Sequence, residues 1–144
     1  MEILKTILYT DVGSAANNWA LFSFRVLMAV ELFRVHGLRK FHSADGKPEV
    51  VPNPFGLPQS LNNLVATFAD TVVPVFLVLG LGTRLAVLPT IGVTLTGYFV
   101  VHRKDPIAVR DSPYTYSVIL LLVLILGPGT ISFDQCLYHI LFIN

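Results

Sequence analysis

Four apolar segments, each close to the length needed to cross a bilayer, constrain this sequence more than any other feature. They cover residues 19–38, 64–81, 85–101 and 114–129, and the last contains the uninterrupted run SVILLLVLIL. About 20 apolar residues in a helix span roughly 30 Å of hydrocarbon. Only 13% of the residues are charged, whereas a soluble domain carries about a quarter. The sequence therefore predicts an all-α integral membrane protein built as a four-helix bundle.

The segments between the spans predict how the chain crosses the membrane. Residues 41–63 hold four prolines and two glycines, residues 102–113 are polar, and residues 80–84 form a tight hairpin. Both long loops then lie on one side of the membrane, which we call side B, and the hairpin lies on the other, side A. Residues 1–18 and 131–144 flank the four-span domain at 19–130 and are predicted to lie at the interface.

The basic residues are unevenly distributed between the two sides. Side A carries only Lys5 and Arg84, whereas side B carries a cluster: Arg39, Lys40, Lys47, Arg103, Lys104 and Arg110. By the positive-inside rule, side B faces the cytoplasm, and the predicted location is the cytoplasmic (inner) membrane of a bacterium. The alternative is that the cluster binds an anion, in which case it does not indicate orientation.

The net charge and the cysteine count exclude several classes of function. The net charge is +1 and the few charges are scattered among apolar runs, so we expect no nucleic-acid partner. Cys136 is the only cysteine, which excludes an internal disulfide, a CxxC redox pair and a thiolate site for zinc or iron–sulfur. We therefore expect no metal site and no covalently bound cofactor.

Ionisable residues within the spans are the main functional signal. Each costs about 2.5–3.5 kcal/mol near the bilayer centre, so each needs a partner or a watery cavity. The candidate acid–base residues are Glu31, His36, Asp70 and His102, and the candidate cofactor- or anion-binding residues are Arg25, Arg34, Arg39 and Lys40. Because successive spans run in opposite directions, we expect these residues to converge in the side B half. The plainer alternative is that Glu31 and Arg34 form a self-contained i,i+3 ion pair and that the histidines face lipid head groups.

The side A ends of the spans carry residues to which we assign a structural role. These are Gly80, Arg84, Gly127, Pro128, Gly129 and Asp134. Glycine and proline end helices, and a contact between Arg84 and Asp134 is predicted to hold the ends of the second, third and fourth spans together.

Several short motifs, in order along the chain, resemble those of one membrane-protein family. Arg25 and Phe33 precede the run HGLRKF at 36–41, and GLP at 56–58 precedes the second span. Residues 80–86 read GLGTRLA, His102 closes the third span, and residues 127–134 read GPGTISFD. Their order and spacing resemble the DoxX family of small four-helix membrane proteins.

The resemblance also has departures. Asp70 stands ten residues before Gly80, where the family usually has an acidic residue, commonly glutamate. Thr130 stands where the family frequently has arginine, and residues 114–116 lack the acidic residue often found before the fourth helix. Any role that the family gives to that arginine or that acid is therefore absent from these positions.

The resemblance implies a redox function, since some members resemble subunits of a thiosulfate:quinone oxidoreductase and others are associated with oxidative-stress or thiol-redox complexes. We therefore expect a subunit of a quinone-linked redox system that handles sulfur or thiol substrates, with a quinone as cofactor and a redox partner subunit. The alternatives are a non-catalytic membrane assembly or interaction subunit and, less favoured, a small-molecule transporter. A second copy of the chain, forming a homo-oligomer, is a further candidate partner. A haem held between His36 and His102 is a further, disfavoured alternative.

Overall fold

The computed structural model describes residues 1–41 and 50–143, and in this part the chain is helical with no strand. The helices are α1 (Glu2–Leu8), α2 (residues 15–41), α3 (Gln59–Leu79), α4 (Thr83–Val101), α5 (Ile107–Leu126) and α6 (Phe133–Phe142). The prediction of an all-α fold is confirmed. Lys47, one of the predicted side B residues, lies outside the described residues.

Three of the described helices, α3, α4 and α5, are long and apolar enough to cross a membrane. The remaining long helix, α2, covers residues 15–41. It contains the charged residues Arg25, Glu31 and Arg34 within its apolar stretch, and Arg39 and Lys40 near its side B end. Helices of this length and composition are stable in a bilayer because every backbone hydrogen bond is made within the helix. The chain is therefore a membrane protein.

The core of the bundle receives side chains from all four long helices. Leu32 of α2, Leu77 of α3, Val87 of α4 and Leu120 of α5 are almost completely buried and belong to one cluster. The closest packing follows chain order, from α2 to α3, α3 to α4 and α4 to α5. The backbones of α2 and α5 approach each other at few points, so a crevice remains between the first and the last span.

Two spans begin earlier than the sequence predicts. Helix α3 begins at Gln59 directly after Pro58, and α5 begins at Ile107 directly after Pro106. Proline favours the first positions of a helix, where no backbone N–H is needed. Residues 107–113, read from the sequence as loop, are thus the first turns of α5.

Three of the spans contain a π turn, in which hydrogen bonds join residues five apart. These turns are Phe33–Gly37 in α2, Phe68–Val72 in α3 and Gly97–Val101 in α4. The turns of α2 and α4 lie in the side B half and that of α3 lies at the middle of its helix. π turns of this kind are frequent at functional sites, and the hydropathy pattern does not predict them.

The turn in α3 is supported by a neighbouring span. Pro74 has no backbone N–H, so the carbonyl of Ala69, five residues earlier, cannot receive the hydrogen bond that would continue the π pattern. Instead, the hydroxyl of Thr90 in α4 donates to that carbonyl at 3.2 Å. A buried carbonyl in the bilayer interior is thereby satisfied.

Charged side chains hold the side A ends of the spans. Arg84, at the start of α4, donates to carbonyls at the ends of two other helices: those of Thr6, Ile7 and Tyr9 around the end of α1, and those of Leu124, Ile125 and Leu126 at the end of α5. A cation is favoured at a helix C-terminus, where carbonyls lack partners within the helix. Gly127 follows α5 with φ +78°, and a Cβ there would clash with the Arg84 guanidinium.

Asp134 performs the opposite task at the N-terminus of α4. Its carboxylate accepts from the backbone N–H of Gly82 at 2.6 Å and of Thr83 at 2.9 Å. Among the described residues, Arg84 and Asp134 form no direct ion pair, because each charge binds the unpaired backbone groups of a helix end. Both residues nevertheless fix the same end of the bundle.

The terminal helices α1 and α6 pack against each other at side A. The rings of Tyr9 and Tyr138 lie 4.9 Å apart, and the Lys5 ammonium lies 5.5 Å from the centre of the Phe142 ring. Helices α1 and α6 thus form a layer at side A, next to the helix ends to which Arg84 donates its hydrogen bonds.

Candidate functional site

The site is a cavity of about 630 Å³ between the four spans in the side B half of the bundle. Apolar side chains, among them Leu32, Val65 and Val93, form much of its wall, and residues from the segment 51–57 border it. Its polar lining includes four of the predicted site residues and a tyrosine: His36, Lys40, Asp70, His102 and Tyr116. Arg39, also predicted, lines the cavity and is largely exposed. The convergence of α2, α3 and α4 predicted from the sequence is thus present in the structure.

Lys40 and Asp70 form an ion pair at the wall of the cavity. The Lys40 ammonium lies 3.3 Å from the Asp70 carboxylate, and the two side chains are only 10% and 12% exposed. Asp70 lies within the π turn of α3, and Lys40 lies one turn beyond the π turn of α2. The pair gives the cavity a fixed dipole with an ammonium donor and a carboxylate acceptor side by side.

His36 stands next to this pair on α2. Its ring makes an edge-to-face contact with Tyr116 of α5, with centroids 5.4 Å apart. The next residue, Gly37, lies so close to α3 that a Cβ there would be 2.5 Å from the backbone carbonyl oxygen of Asp70. Glycine at this position lets α2 and α3 approach closely enough for Lys40 to reach Asp70.

His102 lies at the end of α4, where the cavity meets the side B surface. Its Nδ1 is 2.7 Å from the carboxylate of Asp105, and both side chains are partly exposed. A carboxylate at this distance fixes the orientation of the ring. Asp105 was not identified from the sequence, although its spacing of three residues from His102 is a recognisable signal.

Arg25 does not line the cavity, contrary to the prediction. It is fully buried near side A and donates to the carbonyl of Leu77 at 2.6 Å, that of Ile131 at 2.9 Å and that of Pro128. Its physical task is to supply hydrogen bonds to the backbone at the end of α3 and in the turn that follows α5. Arg25 thus belongs with Arg84 and Asp134.

Glu31 and Arg34 also lie outside the cavity. They form the i,i+3 ion pair that the sequence analysis considered as the plainer alternative, at 3.3 Å, and their side chains are 53% and 69% exposed. Glu31 borders a separate crevice of about 390 Å³ between α2 and α5. Two residues of α5, Ser112 and Tyr116, line both the crevice and the cavity, so they form the wall between them.

The cavity provides hydrogen-bond donors and acceptors but no metal cage. Within residues 1–41 and 50–143, no group of three or more His, Cys, Asp or Glu side chains is placed to hold a metal ion. Tyr116, like Asp105, is a site residue that neither a motif nor a charge within the spans indicates. Tyrosine near the end of a span is equally typical of the membrane interface, so its identity alone does not point to a site.

The family model described as DoxX matches residues 20–103, which is more than half of the chain and contains His36, Lys40, Asp70 and His102. No curated protein and no solved structure matches the chain.

Proposed function

The chain belongs to the DoxX family, and from that premise we propose that it is a subunit of a quinone-linked membrane redox system, with the quinone head group held in the side B cavity. The observation that carries this proposal is a mainly apolar cavity within the spans whose polar groups converge from three helices. We further propose that the system handles sulfur or thiol substrates, or oxidative stress, and works in a bacterial cytoplasmic membrane with side B facing the cytoplasm.

The shape and chemistry of the cavity fit a quinone head group. Ligand cavities of about 300–1,000 Å³ with mostly apolar walls and a few placed polar groups are typical of small-molecule sites, and this one measures about 630 Å³. A quinone carbonyl needs a hydrogen-bond donor, which the Lys40 ammonium and the His36 ring provide. The apolar wall formed by residues such as Val65 and Val93 suits the ring and its methyl groups.

A bound quinone supplies a reversible acceptor for two electrons and two protons, and the residues of the chain handle the protons. The Asp70 carboxylate and the neighbouring His36 imidazole can each accept a proton and release it again. His102 and Asp105 lie where the cavity meets the surface and can exchange protons with water. Arg39 adds positive charge to this rim, which attracts an anionic substrate such as thiosulfate.

The test is quinone binding by the purified protein in lipid nanodiscs. We expect quinone in an organic extract of the protein, identified by mass spectrometry, and saturable binding of decylubiquinone measured by calorimetry. His36→Gln and Lys40→Met should weaken binding about tenfold or more, since a hydrogen bond to a charged group is worth about 1.5–3 kcal/mol.

Two variants serve as matched controls. His139→Gln and Lys5→Met change the same residue types outside the cavity, on α6 and α1, and should bind decylubiquinone like the wild type. Absence of both co-purified quinone and decylubiquinone binding from the wild-type protein would refute the proposal.

The alternative function is a non-catalytic assembly subunit, and the closed Lys40–Asp70 pair favours it. A carboxylate already neutralised by an ammonium at 3.3 Å needs no ligand. In that case Asp70→Asn would reduce assembly with the partner subunit while the partner's own catalysis survives. Unchanged assembly together with lost quinone binding would support the redox function instead.

A further inference from the structure

The ion pair between Glu31 and Arg34 lies on the outside of the bundle, within the predicted first span at residues 19–38. Glu31 is ten residues before the end of α2 at residue 41, which corresponds to about 15 Å along the axis. It is also six residues, or about 9 Å, beyond Arg25, which binds the backbone at the side A ends of α3 and α5. Both side chains are more than half exposed.

Such a placement is unusual because ionisable residues within spans face the bundle interior or a watery cavity. The bundle does not need this pair for its own core, since α2 contributes Met28, Ala29 and Leu32 there. The surface that carries the pair therefore requires a cover other than lipid.

The exposed residues of α2 form a continuous stripe with the spacing of a helix–helix interface. Intervals of three and four residues place them on one face, and along the span they are Ala20, Ser23, Leu27, Val30, Glu31, Arg34 and Leu38. Small residues at the side A end permit close approach of a second helix. The stripe borders the crevice between α2 and α5, which Leu27 and Glu31 line together with Asp111.

We propose that this stripe, together with the adjoining crevice, is the interface with a second copy of the same chain. Around a two-fold axis normal to the membrane, each residue of the stripe meets the same region of the partner. Glu31 then faces the partner's Arg34, and Arg34 faces the partner's Glu31. The two residues of each pair differ in height by three residues, or about 4.5 Å along the helix axis, and their long side chains cover this distance. The arrangement is self-complementary.

Charge selects a second copy over a partner with a purely apolar helix. An apolar helix would bury Glu31 and Arg34 without adding a partner for either, whereas a second copy adds one opposite charge to each. The interface thereby gains two ion pairs in surroundings where little water competes for them.

The test is cross-linking in lipid vesicles with single cysteines. Cys136, which is exposed, is first replaced by serine. Leu27→Cys places a thiol in the stripe, and Ile125→Cys places one on the outer surface of α5; these positions are 70% and 73% exposed in the single chain. With a short bis-maleimide, we expect the first variant to give covalent dimers at least ten times more efficiently than the second. Equal cross-linking of both variants, or none of either, would overturn the proposal.

Charge exchange then tests the reciprocal ion pairs. In the Leu27→Cys background, Glu31→Arg and Arg34→Glu should each lower dimer formation at least tenfold, because like charges then face each other. Vesicles containing both variants together should recover the dimer, since a doubly positive stripe now faces a doubly negative one. A mixture that cross-links no better than either variant alone would contradict the pairing, and circular dichroism of each variant must match that of the wild type.

Discussion

Replacing Arg25 by methionine should destabilise the protein far more than the same change at Arg34, an exposed residue of the same helix. The Arg25 guanidinium satisfies the carbonyls of Leu77, Pro128 and Ile131, and each buried carbonyl left without a donor costs about 1–3 kcal/mol. Removing a buried charge returns part of this cost, because its desolvation penalty disappears. We expect the free energy of unfolding to fall by about 3–5 kcal/mol, the usual range for breaking a buried charged network.

The measurement is reversible unfolding in mixed detergent micelles with increasing SDS, followed by circular dichroism at 222 nm. Arg34→Met is the matched control, because it removes the same group from the same helix where the side chain is 69% exposed. An exposed ion pair is worth about 0–1 kcal/mol, so this variant, studied as the detergent-solubilised single chain, should unfold almost like the wild type. If Arg25→Met unfolds within 1 kcal/mol of the wild type, the backbone hydrogen bonds do not hold the side A end together, and the reasoning fails.

Three further changes test the close approaches and hydrogen bonds between the spans. Gly37→Ala should destabilise the protein, because its Cβ would lie 2.5 Å from a carbonyl oxygen of α3. Gly92→Ala meets open space and should raise the free energy of unfolding by up to about 1 kcal/mol. Unfolding in SDS measures both variants, and equal effects would contradict the close packing at Gly37. Thr90→Val should lower the free energy of unfolding by about 1 kcal/mol. This loss should shrink in the Pro74→Ala background, where residue 74 regains a backbone N–H, and a double-mutant cycle measures the difference. A loss that does not depend on residue 74 would show that the Thr90 hydroxyl does not replace the missing backbone donor. Asp134→Asn leaves one of the two backbone N–H groups at the start of α4 without an acceptor, because the amide NH2 group is a donor. The free energy of unfolding should fall by about 1–2 kcal/mol, seen as a lower thermal midpoint. An unchanged midpoint would mean that the carboxylate is dispensable.

The spans and their order could be predicted from the sequence because apolar runs are a local signal that needs no tertiary information. The convergence of His36, Asp70 and His102 followed from the alternating direction of the spans. The i,i+3 pair of Glu31 and Arg34 could also be read from spacing, since neighbours on a helix are fixed by its geometry. In each case the decisive relation lies within one helix or follows from its direction.

Arg25 shows where this approach stops. A helical projection places it on the same stripe as His36, and both residues do face the interior of the bundle. The projection says nothing about depth, however, and side chains on a helix lean toward its N-terminus. The long side chain of Arg25 therefore reaches toward side A and away from the cavity. Its carbonyl partners lie in the last turn of α3 and in the segment after α5, so no pattern within α2 identifies them.

The π turns could not be predicted from the sequence either, because they depend on how neighbouring spans pack together. Only Pro74 leaves a trace in the sequence, as a residue that cannot complete the hydrogen-bond pattern of α3. The close approach of Gly37 to α3 and the hydroxyl of Thr90 complete the arrangement, and both are tertiary contacts.

A π turn contains one residue more than the α-helical turn it replaces, and this has a consequence for how the protein can change its length. Deleting one residue within such a turn converts it to regular α-helix, which shifts the following residues by about 100° and 1.5 Å without opening the helix. Each of α2, α3 and α4 can thus lose one residue in its π turn and remain helical. Such a deletion would turn the side chains beyond it to a different face of the helix and so change which residues line the cavity. The side A end has no such freedom, because Arg25, Arg84 and Asp134 bind specific backbone groups there. Variation in chain length among functional relatives should accordingly concentrate at the side B end.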